Sequence, residues 1–230
     1  MIKLTKKLIK KIIPKKIMII LGITKNTIFN EYNTREYVIN KCYNYFFILF
    51  NRIKYHKHVD DITLFKCTDF KDSQEYSRSL HFAPLLRVRK LLNYLPEKYQ
   101  KYNFIDIGSG KGIVMFFVLK NYNYNFIYGL EFEKNFVNEA RENLKKYKNK
   151  FELIYSDAKT YIVPDKPFIV YLYNPFKEVI LNEFINNNIK NFIQNKSVLI
   201  YHNDIHSENL RKRDIKKYNH IEEGLSIYFF

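Results

Sequence analysis

A chain of 230 residues, 47% of them hydrophobic, can bury one sizeable core but does not comfortably hold two average domains. Its two cysteines, Cys42 and Cys67, have neither metal-ligand nor redox spacing, which argues against a disulfide framework and makes a reducing, cytoplasmic setting the expectation. The formal charge of +16 is concentrated at one end: up to residue 60, thirteen basic residues face three acidic ones, a net +10. A bias towards Lys, Asn, Ile and Tyr runs through every segment, but bias alone does not gather lysines on one face.

Stepping residues 2–13 around a helix at about 100° each puts Ile2, Leu4, Leu8, Ile9, Ile12 and Ile13 in one half-circle and all five lysines in the other. Two readings stay open. The helix lies in the plane of an anionic membrane surface, each basic residue adding roughly 1 kcal/mol of attraction, and the protein is then peripheral on the membrane. Alternatively, it lays its apolar face on the protein's own core. The apolar half-circle disfavours a third reading, a nucleic-acid arm. Ile17–Ile23 is too short for a secretory signal, follows Pro14-Lys15-Lys16 and lacks a small-residue cleavage site. Tyr43–Phe50 is interrupted by Asn44 and falls well short of the ~20 residues of a spanning helix, so a packed helix is expected there. Residues 60–80 read as a loop-rich connection. The expected organisation is a basic helical appendage over residues 1–75 and a catalytic domain over residues 76–230.

From residue 84 the pattern becomes alternating helix and strand. Pro84 opens a helix through Leu85, Leu86, Val88, Leu91 and Leu92 that stops before Pro96. Strands are predicted at Asn103–Ile107, Phe126–Glu131, Phe151–Tyr155, Phe168–Tyr173 and Ser197–Tyr201, with helices at Gly112–Leu119, Lys134–Tyr147 and Lys177–Phe192. Tyr218–Glu222 and Leu225–Phe230, joined through Gly224, read as a hairpin. The expected fold is α/β: a mostly parallel seven-stranded sheet, helices on both faces and a C-terminal antiparallel hairpin.

The sharpest local signal is Phe104-Ile105-Asp106-Ile107-Gly108-Ser109-Gly110-Lys111-Gly112, a buried strand entering a glycine-rich turn that opens a helix. The glycines allow a tight turn and the approach of a ligand to the backbone. A dinucleotide fold prefers glycine at 108, 110 and 113, and residue 113 is Ile. The next strand ends in Tyr128-Gly129-Leu130-Glu131, which sets a carboxylate at the rim where ligands bind in open α/β sheets and where it can accept both hydroxyls of a ribose. The third ends in Ser156-Asp157-Ala158, another acid on the same rim, able to accept from an adenine amino group. Each acid alone is more simply a helix cap or a loop charge. Three successive strand ends with matching chemistry are harder to dismiss.

On these motifs, residues 76–230 resemble the class I Rossmann-like methyltransferases that use S-adenosylmethionine (SAM), and in particular small bacterial members of unassigned substrate. The resemblance implies that Asp106, Gly108, Ser109, Gly110 and Gly112 form the turn around the methionine part of SAM, that Glu131 holds its ribose, and that Asp157 with Ala158 reads its adenine. No metal site is expected, since His202 and His206 have no third ligand. The fourth strand ends in Tyr173-Asn174-Pro175-Phe176, similar to the acceptor-gripping motif of amino-methyltransferases with one proline missing. Asn174, Pro175 and Phe176 are therefore the candidate catalytic residues, and an unidentified protein or small molecule, methylated on nitrogen or oxygen, is the expected acceptor. The shortened motif also fits a turn that merely leads the strand into its helix. His202 and His206, four apart after the fifth strand, are candidates for a base or a substrate contact, but read more simply as surface residues of a polar loop. The competing functions are a non-catalytic SAM-binding subunit and, third, a NAD-linked oxidoreductase, which Ile113 disfavours.

Overall fold

The computed structural model describes residues 34–53, 83–173, 175–213 and 215–230. The predicted helix at 2–13, the stretch at 17–23, the connection at 60–80, the boundary at 75/76 and Asn174 lie outside the described residues. The chain divides into two compact units, one comprising residues 1–53 with 84–86, the other residues 54–83 with 87–230.

The first unit contains helix α1, Thr34–Phe50. It starts nine residues before the predicted Tyr43. The expectation of a packed helix is only partly met, because α1 buries Asn40, Asn44 and Phe47 while Phe46, Leu49 and Phe50 are exposed.

The second unit is built on a seven-stranded sheet. In chain order its strands are β1 Asn103–Ile107, β2 Ile127–Glu131, β3 Phe151–Tyr155, β4 Phe168–Tyr173, β5 Val198–His202, β6 Lys217–Glu222 and β7 Leu225–Phe229. Their spatial order is β3-β2-β1-β4-β5-β7-β6. The first five run parallel, and β7 lies antiparallel between β5 and β6. The order reverses between β1 and β4, the switch point at which open α/β sheets bind ligands beyond the carboxyl ends of their strands. Strands β1 and β5 are buried along their whole length, β1 carrying the polar Asn103 and Asp106 and β5 ending in His202 among otherwise apolar residues.

Helices cover both faces. Helix α2, Leu85–Tyr94, buries Val88, Leu91 and Leu92. Helix α3, Ile113–Asn121, packs on β2, and α4, Lys134–Leu144, packs on β2 and β3. On the opposite face Ile105, Ile107, Val170, Leu172, Leu199 and Tyr201 form one core with Ile180, Leu181, Phe184, Ile185 and Phe192 of α5, Glu178–Gln194. Leu210 of the short α6, Ser207–Arg211, joins that core.

The Asn-Asn-Asn run of α5 has a definite task. Asn188 is fully buried, and its Oδ1 accepts from the Val163 backbone N–H at 2.8 Å. Its Nδ2 donates to the carbonyls of Tyr161 at 2.9 Å and Phe184 at 2.8 Å. Asn187 donates to the Lys159 carbonyl and Asn191 to that of Val163. One face of α5 thus holds the segment that follows Asp157, satisfying backbone groups that would otherwise be buried without partners. Replacing Asn188 with Ala strands a buried N–H and a carbonyl, at about 1–3 kcal/mol for each unsatisfied group. Thermal melting of Asn188→Ala should show a loss of about 2–4 kcal/mol, or roughly 5–15 °C. A change under about 0.5 kcal/mol would mean the segment is held by other contacts.

Candidate functional site

The turn after β1 carries three left-handed glycines, with φ of +75° at Gly108, +53° at Gly110 and +75° at Gly112. Residues with a side chain pay about 1–2 kcal/mol for this conformation. The turn is fastened to β2: the Leu130 carbonyl accepts from the N–H groups of Gly108 at 2.8 Å and Ser109 at 2.9 Å. Gly112 caps α3, and the N–H of Phe116 closes the first helical turn onto its carbonyl.

Glu131 completes the fastening. Its Oε2 accepts from Gly110 N–H at 2.8 Å, and its Oε1 accepts from the N–H groups of Phe132 and Glu133, both at 3.0 Å. A carboxylate offers about four acceptor positions. Three are taken here, so about one remains towards a ribose, where the sequence reading allowed both hydroxyls to be accepted. Gly129 makes room for the arrangement, because a Cβ there would stand 2.3 Å from Met115 Sδ and 2.9 Å from Ser109 Oγ. The Ser109 hydroxyl is therefore directed into the packing over β2, while its N–H serves the turn.

Asp106 pairs with Gly129 on one side and Tyr171 on the other, so its side chain shares a sheet face with that of Tyr171. Burial, and secondarily the charge of Glu131, pushes the Asp106 carboxyl up to about 8. Burial also pushes Glu131 up to about 7, against the opposing effect of its three N–H donors. Two buried carboxyls therefore share the rim between β1 and β2, both poised near neutral pH. Asp157 sits at the end of β3, and its Oδ1 accepts from the Lys159 N–H at 2.8 Å, which shapes the turn containing half-buried Ala158.

The rim also receives the end of β4. A Cβ on Gly108 would lie 2.4 Å from Pro175 Cβ, so the glycine turn and the Asn-Pro-Phe segment touch. Phe176 goes the other way: its ring is buried in the core beneath α5 rather than open at the rim. The aromatic position of the motif thus anchors the turn after β4 from below.

Residues 88–201 match the family described as Methyltransferase small domain. Over that span the chain is similar to the methyltransferases of this family, and its strand order and rim agree with the likeness. Solved structures similar to the chain include PH1948 of Pyrococcus horikoshii, described provisionally as an RNA methyltransferase, at 16% identity over 73% of this chain and 90% of that one, with a TM-score of 0.48. TrmK of M. capricolum, solved with S-adenosyl-homocysteine, is 13% identical over 65% of this chain and 67% of its own, with a TM-score of 0.44. The methyltransferase domain of bacterial CtHen1-CN is 15% identical over 63% of this chain and 97% of its own, with a TM-score of 0.47. No curated protein matches the sequence.

The residues present fit SAM. The turn bearing exposed Gly108 leaves the backbone open to a ligand, and acids at the ends of three adjacent strands match a cationic methionine moiety, a ribose and an adenine amine. A dinucleotide fits less well, since Ile113 is buried as the first residue of α3.

Two features of the site were missed in the sequence. Lys111, a charge inside the glycine turn, is buried and paired with Glu139 of α4 at 2.8 Å, while its carbonyl accepts from Asn143 at 3.0 Å. It braces the turn against α4. His202 is the second, and here the reading of a surface histidine is corrected: it is the last residue of β5 and almost fully buried. The Tyr171 hydroxyl lies 2.8 Å from its Nδ1, and the Tyr173 ring packs against it at 4.6 Å. Desolvation, with a smaller contribution from Arg87, lowers it to about 3, so the imidazole is neutral. Its polarity led the sequence reading to end β5 one residue early. The i, i+2 pattern of Ile200 and His202 was the available signal.

Gly108 and Gly224 form a matched pair of substitution sites, with φ of +75° and +74°. The nearest atom to a Cβ at Gly224 is 3.6 Å away, in contrast to the 2.4 Å collision at Gly108. Gly224→Ala should therefore cost only the left-handed penalty of about 1–2 kcal/mol. Gly108→Ala should cost more and weaken SAM binding by about tenfold or more, as the turn is pushed off Pro175. Equal melting shifts and intact SAM affinity in both variants would show that this approach is not needed.

Proposed function

We propose that the chain transfers the methyl group of SAM to a nitrogen or oxygen of a protein or small-molecule acceptor held beside Asn174. The observation that carries this reading is the contact between Gly108 and Pro175, which joins the cofactor turn to the segment resembling an acceptor grip. SAM supplies an electrophilic methyl on a sulfonium whose departure leaves a neutral thioether. The residues of the chain position and shield. The glycine turn receives the methionine part, Glu131 accepts from a ribose hydroxyl, and Asp157 with Ala158 lies against the adenine. Pro175 fixes the turn, and the Asn174 amide orients the acceptor lone pair. Alignment of this kind supplies several kcal/mol, and a neutral amine needs no general base. Buried, neutral His202 is committed to Tyr171 and fits a supporting role.

The second reading is a SAM-binding subunit that does not itself transfer the methyl group. It is favoured by the missing second proline and by the burial of Phe176 in the core.

Calorimetry should detect binding of SAM and of its demethylated product, and none of NAD. Glu131→Ala should weaken SAM by about 1.5–3 kcal/mol through loss of charge-assisted hydrogen bonds. Asn174→Ala should keep SAM affinity and lower turnover of the acceptor, which is identified by mass spectrometry of cell extract incubated with the protein and isotopically labelled methyl-SAM. Unlabelled extract favours the non-catalytic reading. NAD binding, or unaltered SAM affinity in Glu131→Ala, contradicts the pocket.

A further inference from the structure

Helix α1 leaves a broad apolar face open to solvent. At 100° per residue, Ile39, Cys42, Tyr43, Phe46, Leu49 and Phe50 fall within an arc of about 120°. Four of these are open to solvent: Phe50 is 79% exposed, Leu49 55%, Ile39 46% and Phe46 41%. The side the helix buries carries Asn40 and Asn44, each only 6% exposed, beside Phe47, and the Asn44 Oδ1 accepts from the Leu85 N–H at 3.0 Å. Asn40 donates its amide to the Glu36 carbonyl of the same helix at 3.0 Å. Isolated apolar side chains on a surface are ordinary, but a continuous aromatic and aliphatic face over three turns marks a contact surface. The rings of Phe46 and Phe50 stack at 6.1 Å, making the end of that face one broad apolar wedge.

The charge around this face selects its partner. Up to residue 60 the chain carries a net +10, and within α1 and its exit Arg35, Lys41 and Arg52 face the single acid Glu36. Arg52 is exposed immediately beyond the apolar wedge. The sequence at residues 2–13 repeats the pattern, five lysines opposite an apolar half-circle. No helix among the described residues is long and apolar enough to cross a membrane. We infer that α1 docks in the plane of an anionic lipid surface, inserting Phe46, Leu49 and Phe50 among the acyl chains while the basic residues meet the headgroups. Stable membrane attachment takes two signals, apolar insertion and basic attraction, and this part of the chain supplies both. The inference stands apart from the methyl-transfer reading, since it uses no residue of the SAM site.

The chain contains no tryptophan, so Phe50→Trp makes a single fluorescent reporter at the most exposed position of the face. The full chain carrying it is mixed with phosphatidylserine-rich vesicles, and separately with pure phosphatidylcholine vesicles. On the anionic vesicles the emission should shift to the blue and be quenched by brominated lipid. Binding should weaken as salt rises from about 0.05 to 0.5 M, where the Debye length shrinks to a few ångströms. Adding Phe46→Ser and Leu49→Ser should lower vesicle partitioning by about tenfold or more without shifting the melting curve in buffer. Four results would overturn the inference. They are unchanged emission on anionic vesicles; emission already blue in buffer with a lowered melting point in the serine variants, which means the face is covered by the chain itself; a dimer that the serine substitutions dissociate, which means a second copy covers it; and vesicle binding that the serine substitutions leave intact.

Discussion

The carboxylate of Glu131 holds the site together. It reaches from the end of β2 to the Gly110 N–H in the turn after β1, and with its other oxygen gathers the N–H groups of Phe132 and Glu133. Three charge-assisted hydrogen bonds converge on one buried group, in surroundings where each is stronger than in water. They fix the glycine turn relative to the neighbouring strand, and the turn in turn fixes where Gly108 meets Pro175 and where α3 begins. Lys111 and Glu139 brace the same turn from α4. A binding site made of backbone needs such fastening, because glycines that permit the left-handed turn also leave it free to move.

Much of this was legible in the sequence. The seven strands lie within a residue of their predicted bounds, because each central strand is a short apolar run bounded by polar or turn residues, and the parallel core buries both of its faces. The glycine turn, Glu131 and Asp157 were visible because they recur at the ends of successive strands. Other features depend on three-dimensional neighbours that no local pattern encodes. The saturation of Glu131 by three N–H groups comes from how its own turn curls. The exposure of the apolar face of α1 was hidden because burial is decided by what packs against the helix. His202 looked like a loop residue because polar character usually marks the end of a strand, and its burial is matched by the Tyr171 hydroxyl at its Nδ1.

Composition misleads in the same way. A chain crowded with Lys, Asn, Ile and Tyr invites the view that its polar residues are filler. Yet Asn187, Asn188 and Asn191 hold the segment beyond Asp157, and Tyr171 supports β5 from β4. The biased alphabet is used for tasks that other proteins give to other side chains. A long polar side chain on a helix that reaches a loop backbone does the same work whatever its coding origin.

The central claim is that a cation binds against the carboxyls of Asp106 and Glu131, which burial holds at about 8 and about 7. SAM is positively charged at its sulfonium, and in the proposed pocket a ribose hydroxyl would donate to Glu131. Both favour the ionised carboxyls, so binding should lower these values and release protons. Below about pH 7 the protons must first be removed, which weakens binding; above about pH 8 the carboxyls are already ionised and the affinity levels off. The decisive measurement is SAM titration calorimetry from pH 6 to 9 in buffers of different ionisation enthalpy, at about those values. The account predicts affinity rising to a plateau near pH 8 with proton release on binding. Affinity that is flat or falls with pH, or proton uptake on binding, would contradict it.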